Sequence, residues 1–337
     1  MARVSHRCSG NSPHFQPMLR AGLLFLASAI TCQTSMADTG TANAALQRGR
    51  VDEAATMLRA TLVAQPHDAL THQLLCRVFY TQDLADQAIH ECEQAVADAP
   101  QNSENHLWLG RAYGLKAGQV SPFSAFGMAK KVRDEFERAV QLDPNAPRAA
   151  SDLGQFYINA PGIVGGGTDK ATALIERIEP QFPVYSHRLR ALLAEKKKDF
   201  TTAEAEFKNA IAAGKSKQQT APAWIDLADF YQRRKQPDQA LSAIKSALAL
   251  NPKGPELVDA ASILTQAHQS PELAERLLRE YLASTSQTDE SPVFKAHVQL
   301  GDLLKSRGDK AGARTEYEAA LALATSYTPA RKALQGL

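Results

Sequence analysis

No stretch of this chain is apolar for long enough to cross a bilayer. The longest run, AGLLFLASAI at residues 21–30, holds ten residues, about half of what a spanning helix needs. Charge of one sign is missing too, since 38 Lys and Arg face 36 Asp and Glu. Near-neutrality argues against nucleic acid, which demands a basic footprint, and against polybasic attachment to anionic lipid. Catalytic signatures are lacking as well. There is no HExxH, no GxSxG, and no Cys with a supporting His at a familiar spacing, so enzyme activity has no support in the sequence. No cofactor is implied.

The apolar run that is present follows Arg20 and precedes Ser35-Met36-Ala37, a small-x-small pattern. This reads as a secretory signal over residues 1–37, cut after Ala37. Met1 and Met18 both serve as possible starts, and MLRAGLLFLASAI from Met18 is the more compact signal. Cys32 offers an alternative, an acylated outer-membrane lipoprotein, although Ala29 and Thr31 depart from the usual lipoprotein box. Arg3, Arg7 and Arg20 leave with the signal, which holds no acid, so 35 bases and 36 acids remain. The expectation is an exported, periplasmic chain.

What dominates the remainder is a period. Ala54 to Pro66 and Ala88 to Pro100 are each spaced by twelve and shifted by 34. A third unit carries Leu109, Gly110, Tyr113, Val132, Phe136, Ala139 and Pro144, and a fourth carries Leu153, Gly154, Tyr157, Ala171 and Pro183. A fifth follows with Ala203, Phe207 and Ala210, and a sixth with Trp224, Leu227, Tyr231, Ala240, Ala247 and Pro252. Ala274, Leu278 and Leu282 mark a seventh, and Leu300, Gly301, Ala313, Tyr317, Ala320 and Leu321 an eighth. A short helical hairpin cannot bury its own apolar face, so such units must stack. Small residues at Gly110, Gly154, Ala240 and Ala313 let two helices approach, while Pro66, Pro100, Pro144, Pro183 and Pro252 are expected to close second helices.

This pattern resembles the tetratricopeptide repeat family, best at Trp224 to Pro252, and the resemblance covers roughly residues 41–325. It implies an all-α, right-handed α-solenoid of about eight hairpins. The units fall at about 38–68, 69–102, 103–146, 147–183, 184–217, 221–254, 255–290 and 294–327, with a capping helix over 328–337. The function implied is a non-catalytic scaffold or adaptor of the bacterial envelope, binding a protein or peptide as a monomer. The competing reading is an assembly component of a secretion, pilus or polysaccharide-export machine.

Two surfaces are candidates for the partner. Ten extra residues in the third unit, around KAGQVSPFSAFGMAK, and five in the fourth, around NAPGIVGGGTDK, are expected to lengthen neighbouring turns between first and second helices. Phe123, Phe126, Ile163 and Val164 make these loops apolar; they either pack on each other as a plug or face a partner. The second candidate is the concave groove. Through the positions the family uses there, it would carry Arg77, Arg111 and Arg148 toward the N-terminal side, and Asp226, Asp229, Glu256, Asp259 and Asp302 toward the C-terminal side. Such a groove would be polarised along its length. The family's chaperone-type carboxylate clamp is absent, because Gln73, Arg77, Trp108, Arg148 and Asp152 stand at its positions.

Other residues are read structurally. Cys76 and Cys92 lie on the two helices of the second unit, as a disulfide or as two small core thiols. His72, His106, His187 and His297 share one slot on successive hairpins, too far apart to share a metal, and are read as flat rings at a hairpin edge. Gly165-Gly166-Gly167 lacks the Gly-Lys-Ser/Thr ending of a phosphate loop. The polar stretch STSQTDESP, residues 284–292, reads as a long turn and a soft joint.

Overall fold

A computed structural model describes residues 34–337. The expected signal peptide lies outside the described residues apart from its last four positions, which open the first helix. Cys32 also lies outside them. The described residues form seventeen α-helices and one short 3-10 turn, with no strand.

The helices pair in order. α1 (Thr34–Gln47) folds against α2 (Val51–Ala64), α3 (Ala69–Thr81) against α4 (Ala85–Asp98), and α5 (Ser103–Ala117) against α6 (Pro122–Leu142). α7 (Pro147–Asn159) then meets α8 (Thr168–Ile178), α9 (Pro183–Lys196) meets α10 (Phe200–Ala213), and α11 (Lys217–Arg233) meets α12 (Pro237–Leu250). α13 (Glu256–Gln266) with α14 (Pro271–Leu282) and α15 (Val293–Ser306) with α16 (Lys310–Leu323) complete eight hairpins, and α17 (Thr328–Gln335) covers the last one. The chain is an all-α solenoid.

Local sequence explains the boundaries. α2 buries Val51, Ala54, Ala55 and Leu58, and α12 buries Ala240, Ala243, Ile244 and Ala247. Both sets follow the i, i+3, i+4, i+7 spacing of a single helix face. Asp68, Asn102, Asp199 and Asp309 cap the helices that follow them by accepting a backbone N–H. Pro66, Pro100, Pro144 and Pro252 each stand two residues beyond the end of a second helix. Pro183 does not. It opens α9, where its fixed φ and missing donor suit a first helical position.

Close packing sits at the small residues. A Cβ added at Gly110 would come within 2.6 Å of the Phe136 ring on the partner helix. One added at Gly154 would come within 2.5 Å of Leu189, which belongs to the next hairpin. α8 has 11 residues, and Leu189 of α9 packs on the slot at Gly154. Cys76 and Cys92 are joined in the second hairpin, with their Cα atoms 5.2 Å apart. Helix axes usually lie about 8–10 Å apart, so the two cysteines mark a tight crossing.

The insertions differ in form from the expected pair of loops. In the third hairpin most of the extra residues extend the second helix: α6 runs for 21 residues, with Ser121 as its cap and Pro122 at its first turn. Phe123 and Phe126 therefore sit on a helix. In the fourth hairpin the inserted residues do form a loop, with a 3-10 turn at Gly162–Val164.

The solenoid comes round on itself. Lys295 at the start of α15 reaches Asp83 in the α3–α4 turn at 2.8 Å. Thr325, just after α16, donates its N–H to Asp52 at the start of α2, also at 2.8 Å. Gly49, in the α1–α2 turn with φ of +70°, lies so close to Val293 that an added Cβ would be 2.8 Å from Val293 Cβ. The eighth hairpin thus rests on the edge of the first two, and the first helices line an enclosed inner face.

Candidate functional site

The inner face is organised on its N-terminal side by Trp108, a buried ring on α5. Its indole N–H donates to Glu104 Oε1 at 2.9 Å, one turn earlier on the same helix. The guanidinium carbons of Arg77, Arg111 and Arg148 lie 5.2, 4.7 and 5.9 Å from its ring centre. The three arginines come from α3, α5 and α7, so stacking of consecutive hairpins brings them together. Attraction between a cation and an indole face contributes roughly 0.5–2 kcal/mol at such distances.

Carboxylates meet these arginines from two directions. Arg111 donates to Asp152 on the next hairpin at 2.6 Å. Apart from Glu104 on α5, which lies 3.8 Å from Arg148, the others come from the far end of the chain, the segment between α14 and α15. Asp289 Oδ2 accepts from Arg77 Nε at 2.9 Å and lies 2.8 Å from Nη2, and Glu290 forms an ion pair with Arg148 at 2.8 Å. The stretch expected to be a soft joint is instead a strap laid into the groove. Beyond Glu290 the groove opens into a cavity of about 340 Å³ lined by Arg111, Arg148, Asp152, Arg188, Asp226 and Glu290.

The acidic side is less polarised than its sequence suggests. Asp226 takes two hydrogen bonds from Arg188 Nε at 2.9 and 3.0 Å, and Asp229 pairs with Arg233. Asp302 accepts from the Tyr317 hydroxyl at 2.7 Å and does not join the other groove residues. Each acid has been matched by a donor on its own or a neighbouring hairpin. Asp259 is the exception: no base pairs with it among the described residues. Asp259 is exposed at its own surface, but the crowded protein around it on the concave face, then the negative charges of Glu256, Asp226, Asp229 and Glu290, push its carboxyl up to about 6.

The apolar residues of the insertions also divide. Phe123 is 90% exposed and Ile163 75% exposed, so these two form no plug. Phe126 is partly exposed, while Val164 is buried at the end of the 3-10 turn, where its carbonyl accepts from Arg133 at 3.3 Å. What remains outside are three separate apolar side chains, Phe123 and Phe126 on the first turns of α6 and Ile163 on the loop of the next hairpin.

The shared histidine slot is a tie within each hairpin. His72, His106, His187 and His297 place Nδ1 at 2.6 to 2.7 Å from Glu91, Glu135, Glu206 and Glu316 on the partner helix. His72 and His106 also set Nε2 3.1 and 3.0 Å from the carbonyls of Pro66 and Pro100. At His106 the Glu135 hydrogen bond, assisted by the Pro100 carbonyl and opposed by burial, raises the pKa.

Two family models described as tetratricopeptide repeat match the chain, one over residues 39–103 and 188–255 and the other over 294–327. The chain belongs to the tetratricopeptide repeat family. Residues 104–187, between the matched stretches, are mainly the two repeats with inserted residues. A search of curated proteins found no match. Among solved structures, yeast Tom70 is 16% identical, with 93% of this chain and 67% of that one aligned at a TM-score of 0.51, a likeness of fold. A thermophilic tetratricopeptide protein of Thermus thermophilus is 21% identical over 68% of this chain and 99% of its own, at a TM-score of 0.47. One from Parabacteroides merdae is 13% identical over 90% and 98%, at 0.45. Tetratricopeptide arrays are generally non-catalytic scaffolds for proteins or peptides, and among the described residues no helix of this one is long and apolar enough to cross a membrane.

Sequence reasoning missed several site residues. Gln47 and Asp289 lie 242 positions apart, and Trp108 was legible only as a departure from the clamp pattern. The glutamates tied to the histidines did carry a signal: in three of four hairpins they follow at a spacing of 19, and in the third at 29.

Proposed function

We propose that this repeat protein is an exported, monomeric, non-catalytic scaffold of the bacterial cell envelope that binds a peptide or protein partner on its inner face. The observation that carries the reading is the convergence of Arg77, Arg111 and Arg148 on Trp108, with an open cavity beside them. Charged groups lining a concave surface steer and orient a partner. The Cys76–Cys92 bond supports an oxidising compartment such as the periplasm, as does the signal-like N-terminus. The exposed side chains of Phe123, Phe126 and Ile163 are a second contact for the same partner.

Affinity capture from envelope extract tests this. Wild-type protein is run beside Phe123→Ser/Phe126→Ser/Ile163→Ser and beside Arg111→Ala/Arg148→Ala, each checked for helical content. A partner held by wild type and lost from the arginine variant supports groove binding, and loss from the serine variant alone moves the site to those apolar side chains. Failure of wild type to retain any envelope protein would sink the scaffold reading.

A further inference from the structure

The basic end of the groove already holds an acidic segment, and the chain supplies it. Asp289 is 5% exposed. Besides Arg77 on Oδ2, its Oδ1 accepts from Gln47 Nε2 at 2.8 Å, and its own N–H donates to Gln47 Oε1 at 3.2 Å. Gln47 therefore reads the backbone and the side chain of one residue together, as a site does with a ligand residue. Glu290 is held more loosely, with Arg148 at 2.8 Å, Arg111 at 3.6 Å and a side chain still 56% exposed. It stands at the rim of the 340 Å³ cavity.

Charge shows what the site requires. Without the strap Arg77 has no carboxylate partner, and Arg148 keeps only Glu104 at 3.8 Å. An emptied groove would present Arg77 unpaired and Arg148 only loosely paired against an indole face, a surface complementary to two adjacent carboxylates. The strap itself is a tight turn: Ser291 N–H donates to Thr288 O at 3.3 Å, and the Tyr281 hydroxyl bonds Ser291 O and Thr288 N. Residues 283–292 carry no helix and form the longest connection between hairpin helices, so the segment has chain to spare for leaving the groove.

We infer that the basic end of the groove is a binding site for an acidic peptide segment bearing two consecutive carboxylate residues, and that Asp289-Glu290 is an internal occupant exchanged for the partner's segment. The inference rests on reading the groove as the partner face. A tethered occupant competes at an effective concentration of order millimolar. The intact chain therefore binds an outside peptide more weakly than the emptied site does, by the fraction of molecules with the strap out.

The test uses the full exported chain and a fluorescein-labelled peptide of sequence STSQTDESP, with STSQTNQSP as its uncharged counterpart, read by fluorescence polarisation. Neutralising the strap with Asp289→Asn/Glu290→Gln is expected to tighten binding of the acidic peptide by roughly tenfold or more. The uncharged peptide should bind this variant far more weakly, and adding Arg77→Gln should abolish the gain. Equal affinity for the two peptides, or no gain over wild type, overturns the inference. If the strap variant loses its helical signal, hydrogen exchange of residues 284–292 in wild type replaces it. The acidic peptide at millimolar concentration should speed exchange there and the uncharged peptide should not; unchanged exchange with both overturns the inference. Neither negative result touches the scaffold reading, which stands on the envelope capture.

Discussion

Lys295 Nζ lies 2.8 Å from Asp83 Oδ1, joining the first turn of α15 to the α3–α4 turn across 212 positions of sequence. The pair is 30% and 38% exposed, and a pair of that kind contributes about 0–1 kcal/mol. Asp289 in the same seam is buried and carries charge-assisted bonds to Arg77. Lys295→Met is therefore expected to lower stability by less than about 1 kcal/mol. Asp289→Ala should cost about 2–3 kcal/mol, because it leaves a guanidinium without its acceptor. Urea unfolding followed by circular dichroism separates the two, and similar small effects would show that the strap does not hold the turn closed.

The second hairpin should depend on oxidation. The Cys76–Cys92 bond closes a loop with a sequence separation of 16, for which chain entropy gives about 3 kcal/mol. Cys76→Ala/Cys92→Ala, or wild type under strong reductant, is expected to lose about that much stability, read as a lower urea midpoint. An unchanged midpoint in reductant would count against the bridge.

His106 predicts a pH dependence of definite sign. Its folded pKa is raised above the ordinary 6.5, first by the hydrogen bond to Glu135. The stabilisation is fully present below about 6.5 and is lost as pH rises through the raised folded value. The stability gap between wild type and His106→Gln should accordingly be widest near pH 5.5 and shrink in alkaline buffer. Melting temperatures across that range test it, and a gap that widens with pH would refute the assignment.

Gly154→Ala sets two effects against each other. Alanine favours a helix over glycine by about 1 kcal/mol. The added methyl, however, meets Leu189 Cδ1 at 2.5 Å, Cδ2 at 2.8 Å and Cγ at 3.2 Å, and overpacking of this kind costs about 1–3 kcal/mol. Leu189 is fully buried, so the branched end that meets the methyl has no open space to turn into, and net destabilisation is expected, measured as a fall in melting temperature. Leu189→Ala in the same chain should recover part of the Gly154→Ala loss.

Repetition made the fold legible: small residues, aromatic fillers and helix-stopping prolines recur in register, and local contacts alone suffice to place them. Departures came where a residue's role depends on a neighbour in space. Pro183 looked like another stop, but α8 ends early at Ile178 and the same proline starts the next helix. The Phe123 segment read as a loop because its hydrophobic residues match no repeat slot, yet Ser121-Pro122 is a helix start that outweighs the mismatch. The arginines of the groove were visible individually. Their convergence on Trp108, and the arrival of Asp289 from more than 200 positions away, depend on the curvature of the whole stack, which no local pattern encodes.

Arrays of hairpins that touch only their neighbours come apart from the ends, since a terminal unit has one interface where the others have two. Contact of Asp52 with Thr325, and of Gly49 with Val293, gives the first hairpin of this array a second interface and adds one to the last, which α17 also covers. Fraying at either end then breaks the contacts of both, so the two ends unfold as one cooperative unit instead of peeling independently.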